Sequence, residues 1–195
     1  MKYGILGGTF DPPHVAHLHI AREAHRQLAL DEVIWVPANR NPLKQTKHSS
    51  PNDRLAMCRL AIEGEDGMAV SDIEVSRGGN SYLVDTLEEF RIALPGDYWF
   101  IAGMDTVASF QEWKKPERIL QLCRLAVFVR PGTDRATTLS RLGEEMAGHI
   151  DLIEASPRAV SSSNIRDMAR KSEDFSHLVT PSVYGYITKK GLYSD

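Results

Sequence analysis

The sequence predicts an α/β fold, a doubly wound Rossmann-like parallel sheet with helices on both faces. Three observations carry that expectation. Short apolar runs alternate with stretches of helical periodicity, several of the runs are apolar without a break, as strands covered on both faces are, and the first run ends in Gly7-Gly8 just before a helical pattern.

The elements follow in order. Tyr3 to Leu6 reads as the first strand. From Val15, the apolar positions Leu18, Ala21, Ala24 or His25, and Leu28 recur at helical spacing, while Arg22, Glu23, Arg26 and Gln27 take the other face. Glu32 to Val36 is a second apolar run, ended by Pro37, so strand, glycine turn, helix and strand make one βαβ unit. Arg54 to Ile62 predicts a helix, Met68 to Val75 alternates like a strand, and Leu83, Leu87, Phe90 and Leu94 mark a helix that stops before Pro95-Gly96. YWFIA (98–102) reads as a strand, Pro116 to Leu122 as a helix and LAVFV (125–129) as a strand. Beyond Arg130-Pro131-Gly132, a polar helix-prone stretch leads to a strand over His149 to Ile153, then to SSSNIRDMARK and two further helical patches.

With 195 residues, 42% of them hydrophobic, the chain suits one domain over 1–195, its helical part from about 160 to 195 packed on the rest. A formal net charge of −3 supplies no basic field for nucleic acid, so an anionic ligand must be held by local groups. Cys58 and Cys123 lie in apolar surroundings and are expected as buried free thiols in a reducing compartment. No apolar run approaches the roughly 20 residues that cross a bilayer. The expectation is a cytoplasmic protein that takes small molecules and neither membrane nor nucleic acid, with homo-oligomerisation left open. Two stretches read as loops, Asn39 to Pro51, which is long and basic enough to gate a ligand, and Gly132 to Thr138.

The chemistry concentrates in GGTFDPPHVAHLHIA (7–21). A glycine turn that leaves a strand and enters a helix gathers backbone N–H groups and the positive end of the helix dipole at one point, where a phosphate fits. Gly7 and Gly8 allow close backbone approach, Thr9 offers a hydroxyl, Asp11 with Pro12-Pro13 fixes the turn, and a helix starting near Pro13 puts His14 in its first turn. His14 and His17, three residues apart, then share a helix face and can meet one ligand. Zinc would need a third ligand, and neither HExxH order nor a Cys/His cluster supplies one. GK[ST] and GxGxxG are absent too, so a cradle here would use histidines in place of a lysine. The plain alternative is a capping His14 and a satisfied, partly buried His17.

GGTFDPPHVAH resembles the G-[GS]-x-F-D-P-x-H-x-G-H signature of the nucleotidyltransferase α/β-phosphodiesterase superfamily, with Ala16 where glycine is usual, and VSSSNIR (160–166) resembles its second signature, I-S-S-T-x-I-R. Within the superfamily, VPANRNPLK, RGGNSYLVDTL, FIAGMDTVASFQEWKKPERIL, FVRPG and the closing YITKKGLY are similar to the bacterial nicotinate mononucleotide adenylyltransferases. The resemblance implies adenylyl transfer from ATP to nicotinate mononucleotide in NAD biosynthesis, giving deamido-NAD and pyrophosphate, with Mg²⁺ carried by the ATP phosphates and no metal held by the protein. It implies His14, His17 and Arg166 as catalytic groups, His17 at the α-phosphate. Gly7, Gly8, Thr9 and Phe10 belong to the ATP loop by the same resemblance, Ser162 and Ser163 to the triphosphate, Gly103 and Asp105 to the ribose, and Arg130 to the adenine.

For the second substrate the resemblance implies Lys44 at the mononucleotide phosphate, helped by Lys47 or Arg54, and Trp113 stacked on the pyridine ring. Tyr82 and Leu83 fall beside the nicotinate carboxylate, Leu83 standing where the family more often has threonine; read as residues alone, Tyr82 and Asp85 simply begin an amphipathic helix. The competing readings are another nucleotidyltransferase of the superfamily (an adenylyltransferase for nicotinamide mononucleotide or pantetheine phosphate, or a cytidylyltransferase), a non-catalytic nucleotide-binding module, and an RNA-ligand domain of the synthetase type, whose KMSKS-like segment is lacking here.

Overall fold

In a computed structural model, which describes residues 1–42, 49–134, 144–156 and 158–194, the apolar runs form one parallel sheet. Its strands are β1 (Lys2–Gly8), β2 (Glu32–Pro37), β3 (Met68–Val70), β4 (Asp97–Gly103), β5 (Arg124–Val129) and β6 (Ile150–Glu154). They lie in the order β3-β2-β1-β4-β5-β6, with every pairing parallel. The described helices are α1 (Val15–Leu28), α2 (Pro51–Ala61), α3 (Ile73–Arg77), α4 (Leu83–Ala93), α5 (Met104–Val107), α6 (Pro116–Leu122), α7 (Glu144–Ala147), α8 (Ser162–Arg170) and α9 (Pro181–Lys190).

The unbroken apolar runs have the physical cause expected of them. Ile5, Ile34, Val36, Phe100, Leu125 and Val127 point to one face, where Val84, Leu87 and Phe90 of α4 and Ile119 of α6 cover them. Leu6, Val33, Trp35, Ile101, Ala126 and Ile153 point to the other, under Leu18, Ala21 and Ala24 of α1, Met57 and Cys58 of α2, and Val183 and Ile187 of α9. Each such large side chain contributes about 2 kcal/mol by leaving water, so a strand with two buried faces is held far more tightly than its backbone ladder alone could hold it. Both cysteines are buried and unbridged, and burial pushes the Cys123 thiol up to about 12. Among the described residues no helix is long and apolar enough to cross a membrane.

Helix starts follow local chemistry. Ser50 caps α2 by accepting the Asp53 N–H at 3.1 Å, with Pro51 in the first position where its missing donor costs nothing. That cap starts α2 before the expected Arg54. Ser161 caps α8 in the same way, through the Asn164 N–H at 3.1 Å. Pro116 and Pro181 open α6 and α9.

One element differs from expectation. The alternating stretch Met68 to Val75 is a strand only to Val70, and from Ile73 it is the helix α3. A sheet edge offers β3 a single neighbour, whereas the helical turn buries Glu74 and lets its carboxylate accept from Thr86 Oγ1 at 2.6 Å. Arg77 then reaches Glu89 and Thr86 on α4. Local alternation yields here to pairing with a distant helix.

The chain leaves β1 toward β2 on one side, and β4 comes to lie on the other. At that reversal the two connections diverge, opening a crevice at the carboxyl ends of the strands. The histidine loop, α5 and the residues after β5 all lie at this edge.

Candidate active site

The loop between β1 and α1 is built on Phe10. Its backbone is left-handed (φ 51), and its ring turns back under the loop, 2% exposed. There it stacks on Trp35 at 5.2 Å and meets His17 edge-on at 5.0 Å. The glycines fit this packing. A Cβ on Gly8 would stand 3.1 Å from the Phe10 ring, and one on Gly7 3.1 Å from Phe100. Phe10, expected in the ATP loop, therefore serves it from beneath as a platform, because its side chain is spent in the core.

His14 is the N-cap of α1, not a member of its first turn, since the backbone at His14 is still extended (φ −144, ψ 171). Its ring lies on that of His17 at 3.7 Å and 24°. The His14 backbone N–H donates to His17 Nδ1 at 3.2 Å. A ring nitrogen that accepts carries no proton, which puts the neutral His17 proton on Nε2. Burial lowers the His14 pKa from 6.5 to about 4, so that ring is neutral at pH 7. Among the described residues, the buried His14 Nδ1 and Thr9 Oγ1 have no hydrogen-bond partner. Two such atoms on one loop at a helix N-terminus suit a ligand rich in oxygen.

The second serine-rich motif docks on the same loop. Ser162 Oγ donates to the Pro12 carbonyl at 2.9 Å, and Arg166 Nη1 to the Asp11 carbonyl at 2.7 Å. Arg166 Nη2 also donates to Ser163 Oγ at 3.1 Å. Residues 155 apart in the chain thus meet where the sequence motifs placed them together.

Two cavities lie beside α5, which contributes to the wall of each. On one side a cavity of about 670 Å³ is lined by Asp105, Arg130, Phe128, Val129 and Met146. Gly103 caps α5 at its mouth, and nothing would meet a Cβ there. On the other side a cavity of about 260 Å³ takes Gly7, Gly8, Tyr82, Leu83, Trp113 and Lys114 into its wall. Asp105 lines the first and Thr106, its neighbour, the second. Trp113 is half-buried, set edge-on to Phe100 at 5.6 Å and tilted against Phe110 at 5.1 Å, so it is both a core residue and a cavity wall. Tyr82 caps α4, and Lys114 sits 4.5 Å from its ring while binding both Asp85 oxygens.

Sequence and fold relationships place the chain among known proteins. A family model described as cytidylyltransferase-like matches residues 5–168. A probable nicotinate-nucleotide adenylyltransferase of Clostridium tetani is 38% identical over 197 residues, covering 98% of each chain. Another of Dehalococcoides mccartyi is 37% identical, covering 99% of this chain and 97% of its own. The chain belongs to the nicotinate-nucleotide adenylyltransferase family. Its fold is that of the Plasmodium falciparum nicotinic acid mononucleotide adenylyltransferase solved with NaAD, at a TM-score of 0.79 and 19% identity over 98% of this chain and 97% of the other.

As a nicotinate-nucleotide adenylyltransferase family member, the chain departs from one expectation about its basic residues. Arg54 cannot assist at a phosphate, because it is 2% exposed and four of its five N–H donors go to backbone carbonyls. Its guanidinium donates to the carbonyls of Thr9 at 2.8 Å, Ala38 at 2.6 Å, Asn39 at 3.0 Å and Ser49 at 3.2 Å. It ties the histidine loop to the end of β2 and the start of α2. Lys44 and Lys47 lie outside the described residues, as do the rest of residues 43–48 in the loop expected to gate the ligand and residues 135–138 of the other loop. Asp11 was legible as a turn residue, but its carboxylate has a larger part. It is 1% exposed, with Oδ1 accepting from the Tyr193 hydroxyl at 2.6 Å and Oδ2 from the Ser49 N–H at 3.2 Å. The sequence signal for Tyr193 was the closing YITKKGLY, which carried no role. Among the described residues no group of three or more His, Cys, Asp or Glu is arranged to hold a metal ion.

Proposed function

We propose that this chain transfers the adenylyl group of ATP to nicotinate mononucleotide, forming deamido-NAD and releasing pyrophosphate. The observation that carries the reading is the docking of Arg166 on the loop that bears Thr9 and the stacked His14 and His17, beside a cavity walled by Gly7 and Gly8, with a second cavity across α5. A reaction joining two nucleotides needs two such chambers with positive and hydrogen-bonding groups between them.

In this reading the larger cavity takes adenosine. Asp105 accepts from the two vicinal ribose hydroxyls, and Arg130 lies against the purine. The smaller cavity takes the pyridine ring against Trp113, with Tyr82 and Leu83 at its far wall. Lys44 serves the mononucleotide phosphate. That phosphate oxygen attacks the α-phosphorus of ATP, and the bond to the bridging oxygen breaks as pyrophosphate leaves, so no covalent bond to the protein forms. Positioning and charge stabilisation then do most of the catalysis. His17 Nε2–H donates to an α-phosphate oxygen, Thr9 and His14 hold the adjoining oxygens, and Arg166 with Ser162 and Ser163 receives the departing pyrophosphate. Mg²⁺, bound by the phosphates themselves, supplies further charge neutralisation.

The test is pyrophosphate release from ATP, Mg²⁺ and nicotinate mononucleotide, run beside the amide mononucleotide and phosphopantetheine. Turnover is expected with the first, and His17→Ala is expected to lower kcat by at least about 100-fold while the variant stays folded. Unchanged turnover in a folded variant would remove His17 from the chemistry.

A further inference from the structure

Tyr193, just beyond α9, has a backbone that its side chain does not favour. Gly191 closes the helix at φ 60, as glycine readily does, but Tyr193 also stands at φ 70. A bulky residue keeps such a conformation only where its surroundings over-determine it. Those surroundings are the histidine loop. The Tyr193 hydroxyl donates to Asp11 Oδ1 at 2.6 Å and also meets the Ser49 side chain, and burial beside the Asp11 charge pushes its phenol up.

Asp11 then joins segments that are remote in sequence. Its carboxylate accepts from Tyr193 and from the Ser49 N–H, 182 and 38 residues away, while its carbonyl accepts from Arg166, 155 residues away. Ser49 leads into α2, and Arg166 is the phosphate-side arginine. The loop bearing Thr9 and His14 is thus fixed against both through one buried residue.

We propose that Tyr193 is a positioning residue for adenylyl transfer, its hydroxyl holding Asp11 so that the histidine loop, Arg166 and the start of α2 keep one arrangement. The proposal rests on the adenylyl-transfer reading for its kinetic arm. Hydrogen bonds to a buried carboxylate are the strong ones, and removing the donor takes from Asp11 Oδ1 the bond that ties it to the end of the chain. A displacement of about 1 Å in a positioned loop is enough to cost a large factor in rate.

The experiment compares Tyr193→Phe with Tyr186→Phe, which removes a similar hydroxyl bond, from α9 to Asp53 of α2 at 2.8 Å, and leaves the bonds to Asp11 in place. Tyr193→Phe is expected to lower kcat at least about 10-fold, with the KM of both substrates nearly unchanged, because alignment and not affinity is lost. Tyr186→Phe keeps wild-type kcat, although both variants lose thermal stability. Amide hydrogen exchange at Asp11 and Ser49 is expected to accelerate in Tyr193→Phe alone. A wild-type kcat in Tyr193→Phe, or equal losses in both variants, overturns the proposal. Were the wild-type protein itself inactive with nicotinate mononucleotide, the adenylyl-transfer reading would fall while exchange still reported on the Asp11 link. Equal exchange in all three proteins overturns that link.

Discussion

At the scale of a residue, His14 is defined by where burial leaves its proton. The unfolded chain protonates this ring below about pH 6.5, whereas the folded chain resists until about 4. Its contribution to stability is therefore complete above pH 6.5 and is lost as the pH falls toward 4, a loss of about 3 kcal/mol for this one group. Urea unfolding of wild type and His14→Asn at pH 7 and pH 4.5 is expected to show a smaller acid loss in the variant. Parallel losses would mean that His14 is not held neutral by the fold. Arg54 makes the complementary point. A basic residue near a phosphate-type loop reads as a ligand in sequence, yet four backbone carbonyls at 2.6 to 3.2 Å use its donors. Unpaired buried carbonyls are costly, so the fold claims this arginine.

At the scale of an element, α8 combines an ordinary cap with a first turn that docks on the histidine loop. The Ser161 cap supports the helix locally, and Ser162 and Arg166 fasten it to the histidine loop. Ser161→Ala is expected to cost about 1 kcal/mol in urea unfolding, the usual worth of a serine cap. No measurable cost would show that the tertiary contacts alone hold α8. Of the helix starts, Pro116 was read from the sequence, whereas the Ser50 and Ser161 caps and Pro181 were not, although each acts within a few residues. The helix α3 was not legible either. Its alternating residues fit a strand, and what makes it helical is Glu74 finding Thr86 and Arg77 finding Glu89, bonds that span 12 residues.

At the scale of the whole molecule, the sheet order creates the site. The chain runs out from β1 to β3 and crosses back to place β4 on the other side of β1, so one edge collects the glycine turn, α5 and the residues after β5, and α5 divides two chambers. That division predicts separable substrate affinities. Trp113→Ala is expected to raise the KM for nicotinate mononucleotide about 10-fold, the worth of one ring-stacking contact, and to leave the KM for ATP unchanged. A matching rise for ATP would contradict the partition.

Much of this was present in the sequence alone. The parallel α/β class followed from apolar runs and helical periodicity, because strands buried on both faces tolerate no alternation. His14 and His17 followed from their spacing behind a glycine turn, which is local to one segment, whereas Arg166 came with the resemblance of VSSSNIR to the superfamily's second signature. What only the tertiary structure decided was how the pieces engage: His14 capping rather than starting its helix, Phe10 turned into the core, Arg54 bound by carbonyls, and Tyr193 reaching Asp11 across 182 residues. Periodicity reports which face of an element is buried. It does not report which distant donor a buried acceptor will find, since that choice is made when the elements pack and every polar group left inside must be satisfied.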